Sequence, residues 1–216
     1  MTLVIDPDRD MLGLIDVQPT FMPGGELPVA DGDAVVPVIN RLLAGPFRHA
    51  FATQDWHPPG HVSFASRHGL APFATVHLAD GPQALWPDHA LRASAGAALH
   101  PDLDLTRVDV VVRKGVHPDI DSYSAFMEND RRTPTGLGGF LRERGVARLF
   151  LTGLAADVCV AWSAEDAVRM GFAVVMLEDA TRGVALPDPA GGTTMTAARR
   201  RLEAMGVRFA RSEDVA

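Results

Sequence analysis

Six short apolar runs, separated by stretches of helical periodicity, restrict the fold of this chain more than any other feature. The runs are Met11 to Ile15, Ala50 to Thr53, Val108 to Val112, Arg148 to Thr152, Ala173 to Leu177 and Val207 to Ala210. Each is too short for a stable helix and rich in Val, Leu, Ile, Ala or Phe, as strands buried on both faces are. Apolar residues three and four apart mark helices over Ala34 to Ala44, Leu137 to Arg144, Val158 to Met170 and Gly192 to Met205. Gly45, Gly145, Gly171 and Gly206 follow them as stops. Strand alternating with helix predicts an α/β fold: an open, doubly wound, mostly parallel sheet of about six strands with helices on both faces, Rossmann-like and three-layered. An eight-stranded barrel would need more units. At 216 residues, 47% of them hydrophobic, the chain can bury the core of one domain over 1–216. The rhythm breaks only between residues 57 and 107, where Pro, Gly and His are frequent; a loop this long inside a domain is more often functional than filler. The final RSEDVA is expected to fray.

Charge and cysteine usage narrow the function classes. Lys and Arg number 20 against 27 Asp and Glu, a net charge of −7, with no basic patch for nucleic acid beyond Arg199, Arg200 and Arg201. Those three share a helical stretch with Ala197, Leu202 and Met205, so they read as a solvated helix face. No apolar run approaches the roughly 18 residues that span a bilayer, and the start MTLVIDPDRD is acidic where a secretory signal is basic. A soluble, cytoplasmic protein with no membrane partner is expected. The single cysteine, Cys159, excludes an intrachain disulfide and fits a reducing compartment.

In open parallel sheets ligands sit beyond the carboxyl ends of the strands. Here those ends are polar: Asp16 after the first run, Asp55 and His57 after the second, Lys114 after the third, and Cys159 shortly after the fourth. Cys159 opens the helical pattern VCVAWSAEDAVRM, where unpaired N–H groups and the helix dipole favour a thiolate. A lone cysteine is usually a small buried hydrophobe, but a nucleophile needs a proton acceptor and a charge to hold it, and Asp16 with Lys114 can supply both. Asp55 and His57, two apart, project from one side of an extended chain. With a third ligand, His89 or His61 being nearest, they would suit zinc, iron or manganese. His49, His68, His77, His100 and His117 read as surface residues.

Five motifs, LIDVQPTFMPGG around Asp16, TQDWHPPGH around Asp55 and His57, LWPDHAL around His89, VVRKG around Lys114 and GLAADVCV around Cys159, resemble in type and order those of the nicotinamidase/pyrazinamidase family within the isochorismatase-like cysteine hydrolases. The resemblance covers about residues 11 to 185. It implies a catalytic triad of Asp16, Lys114 and Cys159, and one divalent metal ion, zinc first and iron or manganese next, held by Asp55, His57 and His89. It further implies an oxyanion hole from the N–H groups of Ala155 and Cys159 with a cis peptide between Leu154 and Ala155, pocket walls at Phe21 and Trp86, and closure by Tyr123. The implied reaction is hydrolysis of nicotinamide to nicotinate and ammonia through a cysteine thioester, in NAD salvage.

Ala156 and Val158 depart from the commonest pattern, as does Ala90 after His89, which leaves the substrate pocket open to difference. His61 serves as a ligand in some members, so its role here stays open. Three alternatives remain: an amidohydrolase of the same superfamily acting on a carbamoyl or ureido amide, a metal-only hydrolase with a structural Cys159, and a catalytically silent small-molecule or metal-binding protein. Self-association into a homo-oligomer is a default expectation that no residue here specifies.

Overall fold

In the computed structural model, which describes residues 2–188 and 190–216, six strands form one parallel sheet. They are β1 (Asp10–Ile15), β2 (Ala50–Asp55), β5 (Val108–Lys114), β6 (Arg148–Leu154), β7 (Ala173–Arg182) and β8 (Arg208–Ala210), in the order β5-β2-β1-β6-β7-β8. The chain thus builds outward from β1 in one direction and from β6 in the other, and β1 lies against β6 over the whole of its length, Asp10 opposite Arg148 and Ile15 opposite Gly153. That junction is the topological switch point, where such sheets open a crevice.

The alternation of side chains along each strand divides the core into two layers. Leu12, Leu14, Phe150, Val175 and Leu177 pack with helix α1 (Val35–Ala44), whose Val35, Val36, Ile39, Leu42 and Leu43 point into the same cluster. Met11, Ile15, Leu149, Leu151, Val174 and Met176 face the other way, toward α3 (Leu137–Glu143), α4 (Cys159–Arg169) and α5 (Thr194–Ala204). The sheet is therefore covered on both faces, the three-layer α/β arrangement expected from the apolar runs. Thr193 caps α5 by accepting from the Thr196 N–H at 3.3 Å, and Gly145, Gly171 and Gly206, all at positive φ, follow α3, α4 and α5. The Arg run lies on α5, which buries Ala198 and Leu202; Arg199 pairs with Glu178 and Glu203, and Arg201 with Glu165.

Two segments differ from the sequence reading. The stretch between residues 57 and 107 carries a short helix α2 (Ala65–His68) and an antiparallel hairpin of β3 (Thr75–Leu78) with β4 (Gly81–Ala84). The C-terminus does not fray: the Leu3 and Ile5 N–H groups donate to Asp214 and Ala216, Ala216 returns a bond to Leu3 at 3.0 Å, and Asp179 accepts from the Ser212 N–H and hydroxyl. These bonds tie the ending to the start of the chain and give its backbone groups the partners that a frayed tail would seek in water.

Candidate active site

Beyond the carboxyl ends of β1, β2, β5 and β6, the structure brings Asp16, Asp55, Lys114 and Cys159 into one buried cluster. A carboxylate oxygen of Asp16, one of Asp55 and Cys159 Sγ all lie within 4.8 Å of one another. Asp16 follows β1 at φ 47°, a left-handed conformation that Asp tolerates better than most residues. Its N–H donates to Thr53 Oγ1 at 3.0 Å, and the Thr53 hydroxyl donates back to Asp16 Oδ1 at 2.6 Å.

Lys114 is fully buried at the end of β5 and serves as the hub. Its ammonium donates to Asp55 Oδ1, to the Ser122 carbonyl at 3.1 Å and to Cys159 Sγ at 3.6 Å, which uses all three N–H bonds. Asp16 Oδ2 lies 2.8 Å from the same nitrogen, a buried ion pair that sets this carboxyl beside the Cys159 thiol.

Electrostatics follow from this geometry. Burial pushes the Asp16 carboxyl up, and the Lys114 charge only partly offsets it. Burial also opposes the charge of Lys114, but Asp16, Asp55 and Cys159 outweigh it and hold the ammonium well above the usual lysine value. Burial pushes the Cys159 thiol well up, with Lys114 pulling the other way. Position at the start of α4 alone pointed to a thiolate; desolvation reverses that balance and makes the resting group a thiol beside a carboxylate raised toward it.

The second constellation adjoins the first. Asp55 Oδ2 faces His57 Nε2 at 3.6 Å and His89 Nε2 at 3.8 Å. His57 Nδ1 lies 2.9 Å from the Gly115 carbonyl, and His89 Nδ1 lies 2.8 Å from the Pro87 carbonyl. Only a donor can face a carbonyl, so each Nδ1 carries a hydrogen and each ring presents its Nε2 toward Asp55. A carboxylate oxygen and two imidazole nitrogens thus converge within 4.8 Å, a donor set that suits a divalent cation, with ligand orientation set by outer hydrogen bonds as metal sites require. Asp55 is held well below the usual carboxylate range: burial would raise it, but Lys114 and His57 outweigh that. The residues present therefore fit a divalent ion.

His61 stands apart from that trio. Its ring stacks on His57 at 4.1 Å, its Nδ1 meets Ser63 Oγ at 2.8 Å, and its Nε2 faces the Ile120 carbonyl at 3.2 Å. Both ring nitrogens are engaged, and burial with the neighbouring His57 lowers its pKa to about 4, so it stays neutral.

Above the cluster lies a narrow cavity of about 40 Å³, walled by Phe21, Trp86, Tyr123, Val158 and Val184, with Asp55, His57, His89 and Cys159 at its floor. The Tyr123 hydroxyl accepts from Gln83 Nε2 at 3.1 Å and from Trp86 Nε1 at 3.2 Å, which fixes that wall. Of the two unusual residues beside the nucleophile, Val158 lines this cavity, whereas Ala156 is buried toward α5. The Leu154–Ala155 peptide is cis, and neither the Ala155 nor the Cys159 N–H donates to another residue among the described ones.

Several residues of the site went unread in the sequence. Gln18 bridges to the Asp55 backbone in both directions, accepting from its N–H at 2.8 Å and donating to its carbonyl at 3.0 Å. Gly115, at φ +62°, brings its carbonyl against His57 so closely that a Cβ would stand 2.3 Å from the ring. Its place directly after Lys114 was a usable signal, because glycine is the residue for a left-handed turn at a crowded point. Thr53, Ser122 and Gln83 carried no such mark.

The sequence pattern of the isochorismatase domain family matches residues 10–214. The chain belongs to the isochorismatase family. Within that family it is 49% identical over 172 residues to a nicotinamidase of Acinetobacter baylyi, covering 79% of this chain and 80% of that one. The PnC1 structure of L. infantum in complex with nicotinate is 38% identical with a TM-score of 0.86, covering 100% of this chain and 99% of that one. The pyrazinamidase of Pyrococcus horikoshii in complex with zinc is 30% identical with a TM-score of 0.74, covering 94% and 99%. Among the described residues, no helix is long and apolar enough to cross a membrane.

Proposed function

We propose that this isochorismatase-family chain hydrolyses nicotinamide to nicotinate and ammonia, with Cys159 as nucleophile. The observation that carries the reading is the convergence of a buried thiol, a carboxylate and a lysine at the floor of a narrow aromatic cavity. Phe21, Trp86 and Tyr123 offer apolar walls for a planar amide ring, whose carboxamide carbon would face Cys159. Asp16 accepts the thiol proton as sulfur attacks, so the thiolate never has to exist free in a buried site. Lys114 stabilises the partial negative charge that develops on the sulfur as its proton leaves. The N–H groups of Ala155 and Cys159 receive the tetrahedral oxyanion, a stabilisation of roughly 3 kcal/mol per well-placed donor. Asp16 then returns its proton to the departing nitrogen and the C–N bond breaks, leaving a thioester and ammonia. In the second half Asp16 takes a proton from the water that attacks the thioester, and the thiol is restored as nicotinate leaves.

Asp55, His57 and His89 would hold one divalent ion, zinc by their donor set with iron or manganese as alternatives, and it would supply a Lewis acid beside the cavity. The reaction belongs to pyridine nucleotide salvage, and a cysteine that must stay reduced suits the reducing conditions of a cytoplasm. The test is ammonia release from nicotinamide by the purified chain and by Cys159→Ala, with aliphatic, carbamoyl and ureido amides as competitors. Release from nicotinamide that is lost in the variant is expected. Release confined to a carbamoyl or ureido amide would move the substrate assignment, and a Cys159→Ala variant of full activity would remove the thioester.

A further inference from the structure

The cavity above Cys159 opens to solvent past the exposed Pro28 and the partly exposed Leu27 and Val184. At about 40 Å³ it has room for only a few waters. Once an aromatic acyl group is bound to Cys159, as the thioester chemistry proposed above requires, that group fills the same opening. Ammonia must nevertheless leave before the thioester is hydrolysed, because an amine that lingers attacks the thioester and regenerates the amide.

A second cavity of about 570 Å³ lies behind the inner wall, between the β3–β4 hairpin and the segment 119–131. The two cavities share Asp121 and Tyr123. Gln83, which lines only the second, ties that partition together: its Nε2 meets Asp121 Oδ2 at 2.7 Å and the Tyr123 hydroxyl at 3.1 Å. The side chains common to the two cavities are thus polar and held by hydrogen bonds that ammonia or water can exchange with their own. Asp80, which also pairs with Arg132 at 3.5 Å, and Asp130 line the outer cavity and give an ammonium formed there an acidic surface to pass over. Arg67 and Arg131 also reach it, but each is paired, with Asp119 and Asp166 respectively.

We propose that ammonia leaves the acyl-enzyme through this second cavity, across the Gln83–Tyr123–Asp121 partition, while the aromatic acid leaves by the mouth at Pro28. The chemistry balances without a further reactant: the C–N bond breaks, Asp16 delivers its proton to nitrogen, and neutral ammonia crosses the partition and takes a proton from water outside. The same route runs in reverse, ammonia attacking the thioester carbon, expelling the Cys159 sulfur and restoring the amide.

That reversal provides the assay. The full chain turns over nicotinamide in the presence of 15N-ammonium chloride, and mass spectrometry follows 15N in the remaining nicotinamide against the rate of acid formation. Ala84→Trp and Leu78→Trp fill the second cavity from opposite strands of the hairpin, away from the reacting groups, so that misfolding of one leaves the other. Each is expected to lower 15N incorporation relative to hydrolysis by on the order of tenfold. Inhibition by nicotinaldehyde, which adds to the thiol and releases nothing, should stay within about twofold in the same variants. Gln83→Ala, which loosens the partition, is expected to raise incorporation. Wild-type incorporation in both filled variants would overturn the route and assign ammonia release to the mouth at Pro28. If the unaltered chain neither releases ammonia nor binds nicotinaldehyde, the thioester reading itself fails, and the route falls with it.

Discussion

Replacing Gly115 by Ala should separate the metal-binding residues from the nucleophile. An added Cβ would stand 2.3 Å from His57 Cε1 and 2.5 Å from its Nδ1. Carbon atoms rest about 3.5–4.0 Å apart, so the imidazole must retreat by roughly 1 Å. That motion breaks the 2.9 Å bond from Nδ1 to the Gly115 carbonyl and turns Nε2 away from Asp55. Loss of such an orienting partner typically costs about 10–100-fold in metal affinity, or about 1.4–2.8 kcal/mol. The backbone adds its own term: φ is +62°, and a left-handed alanine costs about 1–2 kcal/mol. For a chain of this size that corresponds to a fall in Tm of about 2–8 °C. Chelator competition with zinc would measure the affinity, thermal unfolding the stability, and nicotinaldehyde binding the state of Cys159, which lies on α4 and should keep its reactivity. A lowered Tm with wild-type zinc affinity would refute the reasoning, because it would mean that His57 is not a ligand or that Gly115 does not orient it.

Other substitutions probe the remaining parts of the cluster. Lys114→Met leaves Asp16 and Asp55 buried without their common cation, which should cost about 3–5 kcal/mol in urea unfolding and abolish ammonia release. Thr53→Val removes a hydrogen bond that lowers the pKa of Asp16, so burial then raises that carboxyl further, and the acid limb of the kcat/KM profile should move to higher pH. The same change should cost about 1.5–3 kcal/mol of stability for a lost bond to a charged group. Arg148→Ala removes two hydrogen bonds from the buried Asp10 at the amino ends of β1 and β6, far from the site. A loss of about 2 kcal/mol with unchanged kcat per folded molecule is expected, read by unfolding and by ammonia release.

The parallel sheet was legible because its strands are buried on both faces, which makes their apolar runs continuous. The runs were read short at their carboxyl ends, at Thr53 rather than Asp55, Val112 rather than Lys114, and Leu177 rather than Arg182. There the ladder continues through backbone hydrogen bonds while the side chains turn polar, so hydropathy stops before the strand does. The β3–β4 hairpin lacked a signal for a different reason: TVHL alternates only between partly buried and exposed residues, and GPQA carries a proline, which edge strands tolerate.

The site divides along the same line between local and long-range information. Asp16, Asp55, Lys114 and Cys159 could be found because each occupies a strand end or helix start, a position that local sequence reveals. Gln18 and Thr53 could not, because their importance lies wholly in partners 37 residues away. The protonation of Cys159 belongs with them. The helix start favours a thiolate and is visible in the sequence, whereas the desolvation that outweighs it arises only when Asp16, Asp55 and Lys114 close around the sulfur. Burial that raises the thiol favours a proton on sulfur before substrate binds, and the proposed reaction passes that proton to Asp16 as sulfur attacks. In the reaction proposed above, Asp16 is the group that receives and returns a single proton in each turnover, and the raised pKa that burial gives its carboxyl suits it to that exchange.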